Sequence, residues 1–286
     1  MQRDYSSISP SAKMLLLTKG LTTIPFVADA AKLIWGNDAL LKAAENLTDE
    51  LFLKRLIHFE SRYLSVDSLL SASGCLNILE ISSGFSFRGL NMSTHHANIC
   101  YKDTDLSEII SIKKDLTNQL IRQEHLNLRG RLHTESLNAL DEHAFAAMIE
   151  SMPAGRLSIV NEGLLMYLNQ DEKARLCQSI RKALLLRGGY WITADVYIKK
   201  DLEETAVPDA FNQFLSAHHV EENKFDSFEQ AEAFFKTQGL ALSTKATSVW
   251  HQLSAVKYAE PALLSKWVQQ SATVGKIRET WALKAI

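Results

Sequence analysis

A chain of 286 residues, 46% of them hydrophobic, carries enough apolar surface for one large core with an appended subdomain and needs no covalent staples. Its formal net charge is −2 and its charges are mixed along the sequence, which excludes an electrostatic footprint for nucleic acid or an anionic membrane. Cys75, Cys100 and Cys177 are isolated, odd in number and without CxxC spacing, which argues against a disulfide framework and a structural zinc site.

In chain order, the N-terminus has Asp4 in a polar run and lacks the basic and apolar regions of a signal peptide. The apolar stretch from Ala12 to Trp35 is interrupted by Lys13, Lys19, Asp29 and Lys32, too many charges for a lipid-spanning helix. A reducing, cytoplasmic setting is therefore expected. Ser9 to about Trp35 reads as two short helices parted at Thr22-Thr23-Ile24-Pro25. Asp49 to about Ser71 is a longer helix, with Leu56, Phe59, Tyr63, Val66 and Leu70 near helical spacing and Gly74 as its stop.

From Leu76 the period changes. Strand-like runs at Leu76–Ile81, Asn98–Asp103, Arg129–His133, Leu157–Asn161 and Tyr190–Val196 alternate with helical sequence at Asp105–Glu124, Asp141–Ser151 and Gln170–Leu186. Such alternation predicts an α/β fold, a mainly parallel, doubly wound sheet with helices on both faces. A polar and helical interval from Lys199 to about Lys224 then interrupts the pattern and is placed to cap a ligand site at the carboxyl edge of the sheet. After a helix at Asp226–Thr237, Leu240–Val249 and Glu279–Ala285 read as two more strands around a helix near Pro261–Ala272, which gives seven strands if the two pair antiparallel. With no internal repeat or linker, residues 1–286 form one expected domain: a helical lid over 1–74 and a core over 75–286, with its cap at about 199–225.

The stretch LNILEISSGFSFR, Leu76–Arg88, places an acid, Glu80, at a strand end before a small-residue loop, the junction at which α/β proteins bind nucleotide-like ligands. The G-x-G-x-x-G pattern of nicotinamide-binding proteins is missing. Asp103 and Asp105 stand at the next strand end, where a carboxylate can accept both ribose hydroxyls of a nucleoside. An Asp in that position also commonly caps the following helix.

These blocks resemble the leucine carboxyl methyltransferase family, including its tetracenomycin-type O-methyltransferases, which are class I S-adenosylmethionine-dependent enzymes. The similarity runs through Glu80-Ile81-Ser82-Ser83-Gly84-Phe85-Ser86-Phe87-Arg88, then Asp103 to Lys113, then Asn161-Glu162-Gly163-Leu164-Leu165-Met166-Tyr167-Leu168, and it covers most of the chain. The resemblance implies a Rossmann-like seven-stranded sheet with the last strand antiparallel, a helical N-terminal lid and a cap after the fifth strand. It implies S-adenosylmethionine as the methyl donor and a small, polyketide-like acceptor with a carboxylate or hydroxyl. Carried over residue by residue, it gives Arg62 the methionyl carboxylate, Ser82, Ser83 and Gly84 the methionyl and ribose part, and Asp105 with Leu106 the ribose. Glu135 and Ser136 would face the adenine, Glu162 would lie beside the donor, Lys13 would belong to the lid, and Tyr167 would bind the acceptor. Ser82 and Ser83 stand where the family has glycine and alanine, so two side chains enter a loop where close approach is usual. A retained fold without activity is the alternative reading. No metal is expected, because His95-His96 and His218-His219 lack partners at ligand spacing.

Overall fold

The computed structural model describes residues 9–199, 210–274 and 276–286. Among the described residues four α-helices precede the sheet: α1 (Ser9–Lys19), α2 (Val27–Trp35), α3 (Asp38–Ala44) and α4 (Glu50–Ser73). The longest, α4, starts where the Asp49 side chain accepts the Phe52 N–H and stops at Gly74 in the left-handed region, φ 62. Its buried face mixes Leu56, Val66 and Leu70 with Glu60 and Arg62. Glu60 accepts the N–H groups of Ser254 and Ala255 and so ties α4 to a later segment. The sequence reading did not anticipate α3. Asn37 ahead of it and Asp38 in its first turn are residue types that open helices, although the Asn37 side chain makes no cap bond.

The core then runs β1 (Asn77–Glu80), α5 (Arg88–His95), β2 (Cys100–Asp105), α6 (Ser107–Gln123), β3 (Arg131–Ser136), α7 (Glu142–Glu150), β4 (Leu157–Asn161), α8 (Gln170–Arg187) and β5 (Gly189–Tyr197). The remainder is α9 (Ala210–Ala217), α10 (Phe228–Thr237), β6 (Leu240–Lys245), α11 (Pro261–Val274) and β7 (Arg278–Ala285). The strands form one sheet in the order β3-β2-β1-β4-β5-β7-β6. The first five are mutually parallel, and β7 is antiparallel to both β5 and β6, between which it lies. This is the seven-stranded, Rossmann-like sheet with its last strand antiparallel that the sequence led us to expect. Because β1 has β2 on one side and β4 on the other, the strand order reverses at β1, and the crevice at its carboxyl end is where such sheets take ligands.

One apolar layer packs α7, α8 and α10 on the sheet through Phe145, Leu176, Ile180, Phe235, Trp191 and Trp281. On the other face Val66, Leu70, Ile78, Tyr101, Val160 and Ile192 join α4 to the central strands. The helices α1 and α2 bring Leu16, Val27, Ala30 and Ala31 against Tyr63, Phe87, Leu90 and Leu116, and so share the core of α5 and α6.

Boundaries moved most where burial is least. The third strand was expected at Arg129–His133 and is found at Arg131–Ser136, because β3 is an edge strand of half-exposed residues with little apolar signal. The Arg129 and Gly130 N–H groups both bond the Ser93 carbonyl, which holds them outside the ladder. Similarly, β6 ends at Lys245 rather than Val249, and the chain then tightens into a short 3-10 turn at Trp250–Gln252. The expected cap contains α9, but its residues 200–209 lie outside those described.

Candidate active site

A cavity of about 280 Å³ opens at the carboxyl ends of β1, β2 and β4, bounded by α1, α4 and α9. Its floor is the loop that follows β1. Ser82 sits at φ 51 and Gly84 at φ 51, two left-handed residues in three, so the chain turns sharply back over the sheet edge. The turn is fixed from two sides. Asp105 accepts the Gly84 N–H at 2.7 Å on Oδ2 and the Leu106 N–H at 2.7 Å on Oδ1. Lys113, wholly buried on α6, donates to Ser83 Oγ at 2.8 Å and pairs with Asp103 at 3.0 Å. Burial raises the Asp103 carboxyl to about 6 although Lys113 opposes the shift. Asp105 therefore does not cap α6: the residue before that helix is Leu106, with no side-chain cap bond, and the Asp105 carboxylate reaches across to the loop of β1.

The wall between β1, β4 and α4 is a charged cluster. Glu162, just beyond β4, receives Lys19 Nζ at 2.5 Å and Arg62 Nε at 3.1 Å on one oxygen, and Arg88 Nη2 at 3.0 Å on the other. Burial opposes its ionisation, but Lys19, Arg62 and Arg88 outweigh it and hold the carboxyl far below its ordinary range. Arg88 is also paired with Glu80 and Asp67 and lies over the Tyr63 ring at 4.2 Å. Arg88 is thus shared among three acids, Lys19 and Arg62 converge on Glu162, and Asp195 of β5 adds its attraction to Arg62. Burial, reinforced by Arg62 and Arg88, lowers the Lys19 pKa.

Arg62 is the member of this cluster that faces the cavity unfinished. Its Nε serves Glu162 and its Nη1 approaches the Tyr197 hydroxyl at 3.5 Å, while Nη2 has no hydrogen-bond partner among the described residues. Gly163, at φ 90, leaves room beside it: a Cβ there would come 3.4 Å from Nη2. The Gly163 turn is itself held by Asp195 of β5, which accepts the N–H groups of Gly163, Leu164 and Leu165 and the Asn161 amide.

Of the residues singled out from the sequence, Arg62, Ser82, Ser83, Gly84, Asp105, Leu106, Glu162 and Tyr167 all line this one cavity. Three do not. Lys13 is exposed on α1, and Lys19, six residues on, is the α1 lysine at the cavity wall. Glu135 pairs with Lys102 at 3.0 Å and neither it nor Ser136 reaches the cavity; β3 continues through Ser136, so the wall is made by the following Leu137 to Leu140. Ending β3 at His133 had placed the strand end three residues too early. Sequence reasoning also passed over His58, Asp195 and Tyr197. Only Asp195 left a trace, as an acid inside the apolar run of β5. Among the described residues no group of His, Cys, Asp and Glu could hold a metal ion, and no helix is long and apolar enough to cross a membrane.

No protein-family profile and no curated protein matches the chain. Solved structures do resemble it. The mitomycin 7-O-methyltransferase MmcR is 12% identical, over 90% of this chain and 73% of that one, with a TM-score of 0.48. PigF, solved with S-adenosylhomocysteine, is 13% identical over 89% of this chain and 64% of its own, also at 0.48. The pyocyanin biosynthetic protein PhzM is 10% identical over 99% of this chain and 74% of its own, at 0.47. The fold assignment rests on the strand order and directions themselves.

Proposed function

We propose that this protein is an S-adenosylmethionine-dependent O-methyltransferase acting on a small acceptor with a carboxylate or hydroxyl, and that its sequence blocks are those of the leucine carboxyl methyltransferase family. The observation that carries the reading is Nη2 of Arg62, which has no hydrogen-bond partner among the described residues, on a buried guanidinium at the cavity wall. A guanidinium edge presented there suits a carboxylate such as the methionyl group. At the other end of the cavity each Asp105 oxygen accepts one backbone N–H and keeps a lone pair for a ribose hydroxyl. Leu106, Ile109, Leu137 and Leu140 supply apolar walls suited to a purine ring. The donor, when bound, supplies a methyl group activated on a sulfonium. The chain's own residues would hold, orient and keep dry the two reactants, and no metal has a part in this reading.

Isothermal titration with S-adenosylhomocysteine tests it. The wild type should bind in the micromolar range, Arg62→Met should weaken binding by about 2 kcal/mol through loss of a charged hydrogen bond, and Asp105→Asn should weaken it less. No detectable heat with up to millimolar ligand would refute the proposal.

A further inference from the structure

Two side chains at the end of β5 frame the Arg62 guanidinium. The register of β5 against β7 shifts between Thr193 and Val196, and irregularities of this kind re-aim side chains beside a site. Asp195, within the shift, accepts the N–H groups of Gly163, Leu164 and Leu165 and so holds the turn that leaves room beside Nη2. Tyr197, the last residue of the strand, lines the cavity and brings its hydroxyl to Nη1. The phenol is held in turn, because His58, one turn before Arg62 on α4, has its Nε2 2.8 Å from the same hydroxyl. Burial, with Arg278 and Arg62 next in effect, pushes the His58 pKa well below its ordinary value, so at neutral pH the ring adds no third cation to those two arginines.

A guanidinium only donates, so the phenol oxygen accepts from Nη1. With Glu162 on Nε at 3.1 Å and Tyr197 on Nη1 at 3.5 Å, the planar fork is held at two of its three nitrogens, and the direction of the third, Nη2, is set by them. An arginine is rich in rotamers, and those it keeps in the free protein have to be frozen when a ligand arrives. A contact that freezes them beforehand strengthens binding without touching the ligand. The bond to Tyr197 is long, so its effect should be modest, and it should be felt only by a ligand that uses Arg62.

Building on the function proposed above, we infer that Tyr197 is the positioning residue for Arg62: its hydroxyl directs Nη2 toward the carboxylate of the methyl donor and raises affinity for nucleosides that carry one. It does so through Arg62 alone, and the nucleoside part of the ligand is indifferent to it.

The test is a set of calorimetric titrations at pH 7 with S-adenosylhomocysteine and with 5′-methylthioadenosine, which keeps the nucleoside and the sulfur but has no carboxylate. Tyr197→Phe, which removes one oxygen and keeps the ring, should weaken S-adenosylhomocysteine binding about three- to tenfold, the span of one hydrogen bond, and leave methylthioadenosine binding unchanged. In an Arg62→Met background the same substitution should change S-adenosylhomocysteine affinity by less than about twofold, because the group through which Tyr197 acts is gone. Should Arg62→Met fold poorly, the contrast between the two ligands in Tyr197→Phe decides by itself. Unchanged S-adenosylhomocysteine affinity in Tyr197→Phe, an equal loss for both ligands, or a loss that persists in Arg62→Met would overturn the inference. Failure of the methyl-donor reading appears separately, as absence of S-adenosylhomocysteine binding by the wild type.

Discussion

Ser82 shows how a single residue can be used where a glycine is usual. At φ 51 an L-residue carries roughly 1–2 kcal/mol of strain, whereas glycine carries none but loses about 0.5–1 kcal/mol more chain entropy on folding. Ser82→Gly should therefore change stability by no more than about 1 kcal/mol, whereas the branched Ser82→Val should cost about 1–2 kcal/mol, as urea unfolding would measure. The neighbouring Ser83 has a different role, since its hydroxyl gives the wholly buried Lys113 a second partner besides Asp103. Ser83→Ala should cost about 1–3 kcal/mol by leaving that ammonium underbonded. A loop whose sequence departs from the expected glycine and alanine is thus tied down by side chains. The tie to Lys113 spans thirty positions in sequence, and no local pattern displays it.

At the scale of elements, the parallel pairing of β4 and β5 depends on how the chain leaves α8. Gly188 and Gly189 break the helix, as their position in the sequence suggests, but their burdens are unequal. A Cβ on Gly189, at φ 107, would fall 1.9 Å from the Leu157 carbonyl oxygen, inside the β4–β5 ladder, whereas one on Gly188 would meet nothing nearer than 4.0 Å. Gly188→Ala should cost only the left-handed backbone penalty of about 1 kcal/mol. Gly189→Ala should cost more than about 3 kcal/mol or prevent soluble expression, because backbone cannot move aside within a packed sheet. Equal unfolding midpoints for the two variants would contradict this. Legibility differed between elements for the same kind of reason. The buried strands β1, β4 and β5 announce themselves as apolar runs, while β3, at the sheet edge, alternates between exposed and half-buried positions and was displaced in the reading together with the residues assigned to its end.

For the whole molecule, the segment after β5 is held to the core through a buried lysine. Lys173 on α8 donates to the Asn223 carbonyl and lies 5.0 Å from the centre of the Phe225 ring, and Asn223 in turn bonds the Met166 carbonyl beside the cavity. Burial lowers the Lys173 pKa to about 8 from an ordinary 10.5. Between those values the unfolded chain binds more protons than the folded one, so stability should rise with pH across this window, by up to about 1.4 kcal/mol per pH unit, and should gain nothing from this group below pH 8. Urea unfolding at pH 7.5, 9 and 10 should show that slope in the wild type and a flatter one in Lys173→Met. Indistinguishable slopes would mean that the ammonium is not desolvated in the folded state.

By itself the sequence determined the alternation of strands and helices, and with it the doubly wound sheet, because hydrophobic period and glycine punctuation are local properties of a chain. It also determined which strand ends carry acids, and so located Asp105, Glu162 and the loop between Ile81 and Phe85. Only the tertiary structure decided how those groups are spent. Lys19, Arg62 and Arg88 come from three separate helices or their ends to converge on Glu162, and Asp195 reaches from β5 to hold the turn after β4. Their charges act through distance in space, over a few ångströms in a dry interior, while the sequence records only distance along the chain. For the same reason Lys13 and Glu135 looked eligible by position yet point elsewhere, and His58, beside Tyr197 only once the sheet has formed, left no sign of itself in the sequence.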